Sequence, residues 1–157
     1  MGRRRSALVF LAMPSEARVR SAPHSSAAGT GTGIGTLCNM DIRGRGGELL
    51  GEKWRDGPRT ALGIMSAKFP NLFVTTGPGS PSGLFNMVLG NEYHVEWIVR
   101  AINDVCSAGR ATIEPEQATE DSWCQQVTDV GNQTLFTQAD SWYMGANVPG
   151  KSRQILL

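Results

Sequence analysis

Histidine, cysteine, aromatic residues and net charge are all scarce in this chain, and each shortage excludes something. The histidines are His24 and His94 alone, and no C-x-x-C or H-x-x-x-H pair accompanies them, so a closed zinc site has no ligand set and no metal is expected. His94 then reads as a helix-surface or packing residue. The three cysteines, Cys38, Cys106 and Cys124, are odd in number and far apart, which argues against a disulfide framework and fits a reducing compartment such as the cytoplasm. A net charge of +1 gives no large field to attract nucleic acid, and the arginines cluster only at the N-terminus. No segment reaches the ~20 consecutive apolar residues that span a bilayer, so the reading is a soluble chain without a membrane partner.

What is present is glycine. Nineteen glycines in 157 residues, with a 40% hydrophobic share, allow one domain with a core but a loop-rich one. Residues 1–37 read as an irregular or non-native segment. Arg3, Arg4 and Arg5 before the apolar run 7–13 imitate an export signal, but no small-x-small cleavage site follows; a buried strand at 7–10 is the alternative. Residues 14–36, rich in Ser, Ala, Gly, Thr and Pro, bury too little apolar area to offset ordering entropy and read as a flexible linker. Gly29, Gly31, Gly33 and Gly35 alternate with other residues, but Thr36 stands where a dinucleotide fingerprint needs its last glycine.

From Cys38 onward the pattern is ordered. Residues 41–47 read as a strand end and turn, 52–58 as an exposed turn carrying Trp54, and 62–65 and 72–75 as short strands. Gly77, Pro78, Gly79, Ser80 and Pro81 then form a sharp turn, since glycine permits positive φ and proline forbids strand bonding. Leu84, Met87, Val88, Val95, Ile98, Val99, Ile102 and Cys106 recur every three or four residues, which predicts an amphipathic helix over 82–108 with Ser80 as N-cap and Pro81 at its first position. A second helix is expected from Pro115 or Glu116 to about Gly131, burying Trp123, Val127 and Val130.

Two features could carry chemistry. The glycine turn would present free N–H groups and the positive dipole end of the following helix to an electron-rich ligand; a helix whose terminus is simply capped is the plain alternative. Near the C-terminus, Gly145, Gly150, Lys151 and Ser152 satisfy G-x-x-x-x-G-K-[ST]. That phosphate loop works only between a buried strand and a helix, and five residues after Ser152 are too few for the helix, so a chance match is favoured.

Six segments in a common order carry a resemblance: DIRGRGG at 41–47, EKWRDGPRTALGIM at 52–65, FPNLFVTTGPGSPSGLFNMV at 69–88, HVEWI at 94–98, ATIEP at 111–115 and DSWYMGANVPGK at 140–151. Together they resemble the C-terminal part of Baeyer–Villiger monooxygenases of the cyclohexanone monooxygenase type. The resemblance implies an α/β fold, here the incomplete C-terminal portion of a flavoprotein with two dinucleotide-binding domains: a few short strands, two main helices and a loop-rich N-terminus. Residues 38–157 would be the end of the FAD-binding domain plus a control loop.

It also implies FAD and NADPH as cofactors and insertion of one oxygen of O2 beside a ketone carbonyl to give an ester or lactone. Gly77, Pro78, Gly79, Ser80 and Met87 would face the flavin. Pro81, Ser82, Gly83, Leu84 and Phe85 would line the ketone pocket, and Trp142 and Lys151 would lie on the loop that covers the nicotinamide cofactor. The family's glycine fingerprints and its catalytic arginine have no counterpart here, so no catalytic residue is assigned and the chain alone is expected to be inactive. Phe85 and the run Gly90, Asn91, Glu92, Tyr93 depart from the family pattern at the pocket. The alternative is a non-enzymatic remnant or interaction module whose uncovered core surface drives self-association.

Overall fold

The computed structural model describes residues 37–80, 85–138, 144 and 153–155, together with the backbone of 10–12 and 18–20. The strands are short: β1 (Phe10–Ala12), β2 (Arg18–Arg20), β3 (Asp41–Arg43) and β4 (Leu72–Val74). They form two antiparallel pairs, β1 with β4 in the register Leu11 opposite Phe73, and β2 with β3 in the register Val19 opposite Ile42. The helices are α1 (Leu50–Lys53), α2 (Met87–Ser107) and α3 (Gln117–Asn132).

β4 lies at the centre because successive side chains leave a strand on opposite faces. Leu72 and Val74 join Leu37, Ile42, Leu50, Trp54 and Phe69 in one buried cluster. Phe73, pointing the other way, meets Ile64, Met65 and Ile98 of α2 in a second. Asn71 sets the entry to β4. Its backbone is left-handed, φ 59°, which Asn tolerates better than most residues. Its buried amide accepts from the Ile113 N–H at 3.0 Å and donates to the Ala111 carbonyl at 3.1 Å, tying the strand to the segment before α3.

Several expectations are corrected. Trp54 is 3% exposed rather than on an exposed turn, because Leu50 and Trp54 fall one helical turn apart on the inner face of α1; its indole N–H donates to the Arg59 carbonyl at 3.0 Å. Residues 62–65 are not a strand: Leu62 and Gly63 are consecutive left-handed residues, φ 59° and 68°, inside a turn closed by an Ala61–Met65 bridge. Arg18–Arg20, within the stretch expected to be flexible linker, is a strand paired with β3. The Phe10 end of the proposed 7–10 strand does fall in β1, while residues 7–9 lie outside the described residues.

α2 starts later than its periodicity suggested. Its N-cap is Asn86, whose side-chain oxygen accepts from Val88 N at 3.0 Å and Leu89 N at 3.3 Å. Ser80 instead turns its hydroxyl back to the Gly77 carbonyl at 2.7 Å and does not cap the helix, while Pro81 lies outside the described residues. Of the apolar residues expected to form the inner face, Ile98 is buried and Ile102 packs, partly buried, against the same cluster, while Met87, Val88, Val95 and Val99 are exposed, as is Cys106. On α3, Trp123 and Val127 are half-buried and Val130 is exposed.

Candidate functional site

The turn after β4 is closed by hydrogen bonds that consume its carbonyls. The Gly77 carbonyl accepts from both the N–H and the hydroxyl of Ser80, at 3.1 and 2.7 Å. The Pro78 carbonyl accepts from the Thr60 hydroxyl at 2.6 Å, and the Gly79 carbonyl from the Trp123 indole N–H of α3 at 3.1 Å. Gly77 N donates to the Gly63 carbonyl at 3.1 Å. Two glycines are required for distinct reasons. Gly79 sits at φ 76°, and a Cβ on Gly77 would come within 2.5 Å of the Gly63 carbonyl oxygen, so the two turns can touch only without a side chain there.

Thr76, where the chain leaves β4, has φ 46°, a strained value for a β-branched residue. Its N–H donates to Nδ1 of His94 on α2 at 2.9 Å. Burial pushes the His94 pKa below its ordinary value, favouring the neutral ring that can accept this bond. Between the bend and the start of α2 lies a mostly apolar cavity of about 200 Å³, lined by Thr76, Ser80, Phe85, Met87, Gly90, Tyr93 and His94. Gly90 leaves room there: a Cβ would meet the Phe85 ring at 3.3 Å.

A buried charge cluster fixes α3 against the loop that carries Thr60. Glu120 is fully buried. Its carboxylate accepts from Lys53 Nζ at 2.9 Å, the Ala67 N–H at 2.6 Å, the Ser66 hydroxyl at 3.1 Å and Gln117 at 3.2 Å, with the Arg59 guanidinium 3.7 Å away. On the exposed side, hydrogen bonds from Gln117 and Arg59 hold the Asp121 carboxyl below the usual carboxylate range. Farther along α3, Val127 packs with Met144, Ile155 and Phe136. Gln154 donates its N–H to the Met144 carbonyl at 3.1 Å and its side-chain amide to the Pro58 carbonyl at 3.2 Å. One helix thus supports both the bend, through Trp123, and the described residues Met144 and Ile155, through Val127.

The site residues expected from sequence are distributed as follows. Gly77, Pro78 and Gly79 form the bend, and Ser80, Phe85 and Met87 line one cavity beside it. Pro81, Ser82, Gly83, Leu84, Trp142 and Lys151 lie outside the described residues, as do Gly145, Gly150 and Ser152 of the phosphate-loop match. The expectation of a helix opening directly from the turn with free N–H groups is overturned, because Asn86 caps α2. His94, Trp123 and Glu120 were missed as site-shaping residues. The available signal was Gly90, four residues before His94 on the same helical face, where a side chain would meet the Phe85 ring and the Thr76 methyl of the bend.

No protein-family model matches the chain. It is 37% identical over 131 residues to an acetone monooxygenase (methyl acetate-forming) of Gordonia sp. (strain TY-5), a match covering 83% of this chain and 25% of that protein. Among solved structures it resembles cyclohexanone monooxygenase from Rhodococcus sp. Phi1 bound to NADP+, at 39% identity and a TM-score of 0.71 over 78% of this chain and 23% of the other. It also resembles OTEMO in complex with FAD and NADP, at 33% identity and a TM-score of 0.68, covering 78% and 22%. These likenesses define a class, monooxygenases that carry a flavin and a nicotinamide cofactor. Within it, the chain is homologous to the C-terminal part of the Baeyer–Villiger monooxygenases of the cyclohexanone monooxygenase type. It spans about a quarter of the length of the relatives it matches.

Proposed function

We propose that this chain contributes the flavin-facing bend and part of the cofactor cover of a Baeyer–Villiger monooxygenase acting on a ketone with O2, FAD and NADPH, and that alone it is inactive. The observation that carries this reading is the closure of the bend: every carbonyl from Gly77 to Gly79 is tied to a named donor, and Ser80, Met87 and Phe85 line one cavity beside it.

The fit to a flavin is partial, in a way that supports the reading. A cavity of about 200 Å³ is smaller than the ~300–1,000 Å³ of complete small-molecule sites, as suits one wall against a planar ring edge. No glycine fingerprint at a helix N-terminus is present to hold a pyrophosphate. Bound FAD and NADPH would supply the oxygen-activating and electron-donating chemistry. This chain's part is to hold one wall rigid, with Gly77, Pro78, Gly79, Ser80 and Met87 toward the flavin. Pro81 to Phe85 would shape the ketone pocket, and Trp142 and Lys151 would close over the nicotinamide and exclude water. Residues 38–157 would be the working part, with Phe10–Ala12 and Arg18–Arg20 from the preceding segment adding strands to it. Three widely separated cysteines, odd in number, suit a reducing cytoplasm, and among the described residues no helix is long and apolar enough to cross a membrane. Incubation with FAD tests the proposal: the chain alone should stay colourless and oxidise no NADPH, while the chain joined to the upstream domains of a related monooxygenase should be yellow.

A second reading, an interaction module, has its own support in the exposed apolar residues of α2, with Val88 69% exposed. A monodisperse monomer in sedimentation analysis would count against it.

A further inference from the structure

We propose that His94 is the positioning residue of the bend, its neutral imidazole holding the Thr76 N–H and its protonation releasing it. The chemistry follows from one contact. An imidazole nitrogen that accepts a hydrogen bond carries no proton, so with Nδ1 accepting from Thr76 at 2.9 Å the neutral ring bears its proton on Nε2. Protonating Nδ1 turns the acceptor into a donor and sets two N–H groups against each other.

Thr76 is where such a loss matters. It is a non-glycine residue at φ 46°, in the left-handed region that costs a β-branched side chain free energy and persists only where its surroundings hold it. It immediately precedes Gly77, so a change there is passed directly to the glycines of the bend. The bond also crosses between elements, from α2 to the end of β4, and therefore fixes the helix carrying Met87 relative to Ser80 across the cavity.

Little else near the ring titrates. On α2, the residues one turn from His94 on either side, Gly90, Asn91, Trp97 and Ile98, are uncharged. Tyr93 is the other ionisable residue lining the cavity, and the bend and the segment before α2 contribute Thr76, Ser80 and Phe85, none charged near neutrality. Burial alone lowers the His94 pKa, with no charged partner among its causes. The transition therefore falls below the ordinary 6.5. Above that value His94 is neutral and the bend is held; as the pH drops through the folded transition the bond is lost.

The reach of this linkage to a cofactor rests on the bend's facing the flavin; the linkage itself does not. The test is a pH titration of the full 157-residue chain by ¹⁵N NMR, following the His94 ring nitrogens and the Thr76 amide. The expected result is an unprotonated Nδ1 at neutral pH and one shared transition below pH 6.5. His94→Asn keeps a neutral acceptor and should abolish the Thr76 transition while preserving the amide position; His94→Gln serves if that variant folds poorly. A Thr76 amide indifferent to His94 protonation, or a ring that titrates at or above 6.5, would overturn the proposal. Absorbance after FAD incubation of the chain joined to the upstream part of a related monooxygenase separates the two claims, since a shared transition in the chain with no retained flavin band in the joined protein supports the linkage and counts against the flavin reading.

Discussion

Glu120→Gln keeps the size of a fully buried side chain and removes its charge, leaving Lys53, whose side chain is only 8% exposed, without a counter-ion. Breaking a buried pair from one side costs about 3–5 kcal/mol, because the remaining charge stays desolvated. Urea denaturation should read a loss of that order, and the double variant Lys53→Met, Glu120→Leu should recover much of it. A loss below about 1 kcal/mol in the single variant would mean that the cluster is solvated and that α3 is held by something else. Gly77→Ala should cost roughly 1–3 kcal/mol by overpacking against the Gly63 carbonyl, a backbone atom that cannot swing aside. At this scale the glycines were legible, because their backbone demands are local. Glu120 was not, because its partners Lys53, Ser66 and Ala67 are distant in sequence and no spacing rule brings a carboxylate to them.

The two main helices were legible as elements and misread at their edges. Three- and four-residue periodicity located α2 and α3, yet periodicity cannot tell a cap from a turn. Ser80 and Asn86 are both good capping residues, and the choice fell to Asn86 because the Ser80 hydroxyl is taken by Gly77 within the bend. Asn86→Ala should therefore destabilise α2 by about 1 kcal/mol and lower helicity in circular dichroism. Ser80→Ala should leave helicity unchanged and disturb only the bend. Equal loss of helicity in both would contradict this division of labour. The 62–65 stretch was misread for a related reason: its apolar run suits a strand, but positive φ at Leu62 and Gly63 turns the chain, a requirement of packing against 76–80 that composition does not reveal.

The whole molecule presents an apolar stripe on α2, with Met87, Val88, Val95 and Val99 uncovered. The periodicity of these residues correctly signals an apolar face, and the described residues leave that face uncovered. If that face lies open, Val88→Glu with Val99→Lys should leave thermal stability nearly unchanged and reduce concentration-dependent association in sedimentation velocity. Loss of folding in this double variant would show that the stripe is core within this chain. The family was legible because six ordered segments match it, whereas the partial cavity at the bend was not, since Phe85, Gly90 and His94 meet only once α2 is set against β4.

If the bend lies against a flavin, as proposed, visible absorbance reads that contact. The chain is joined to the upstream three quarters of a related monooxygenase, with and without Gly77→Ala, then incubated with FAD and freed of unbound cofactor. A retained flavin band is expected with the intact bend and its loss or marked weakening in the variant, with the separate chain colourless throughout. A band of equal strength and shape in both joined proteins would contradict it, placing the flavin out of contact with the bend.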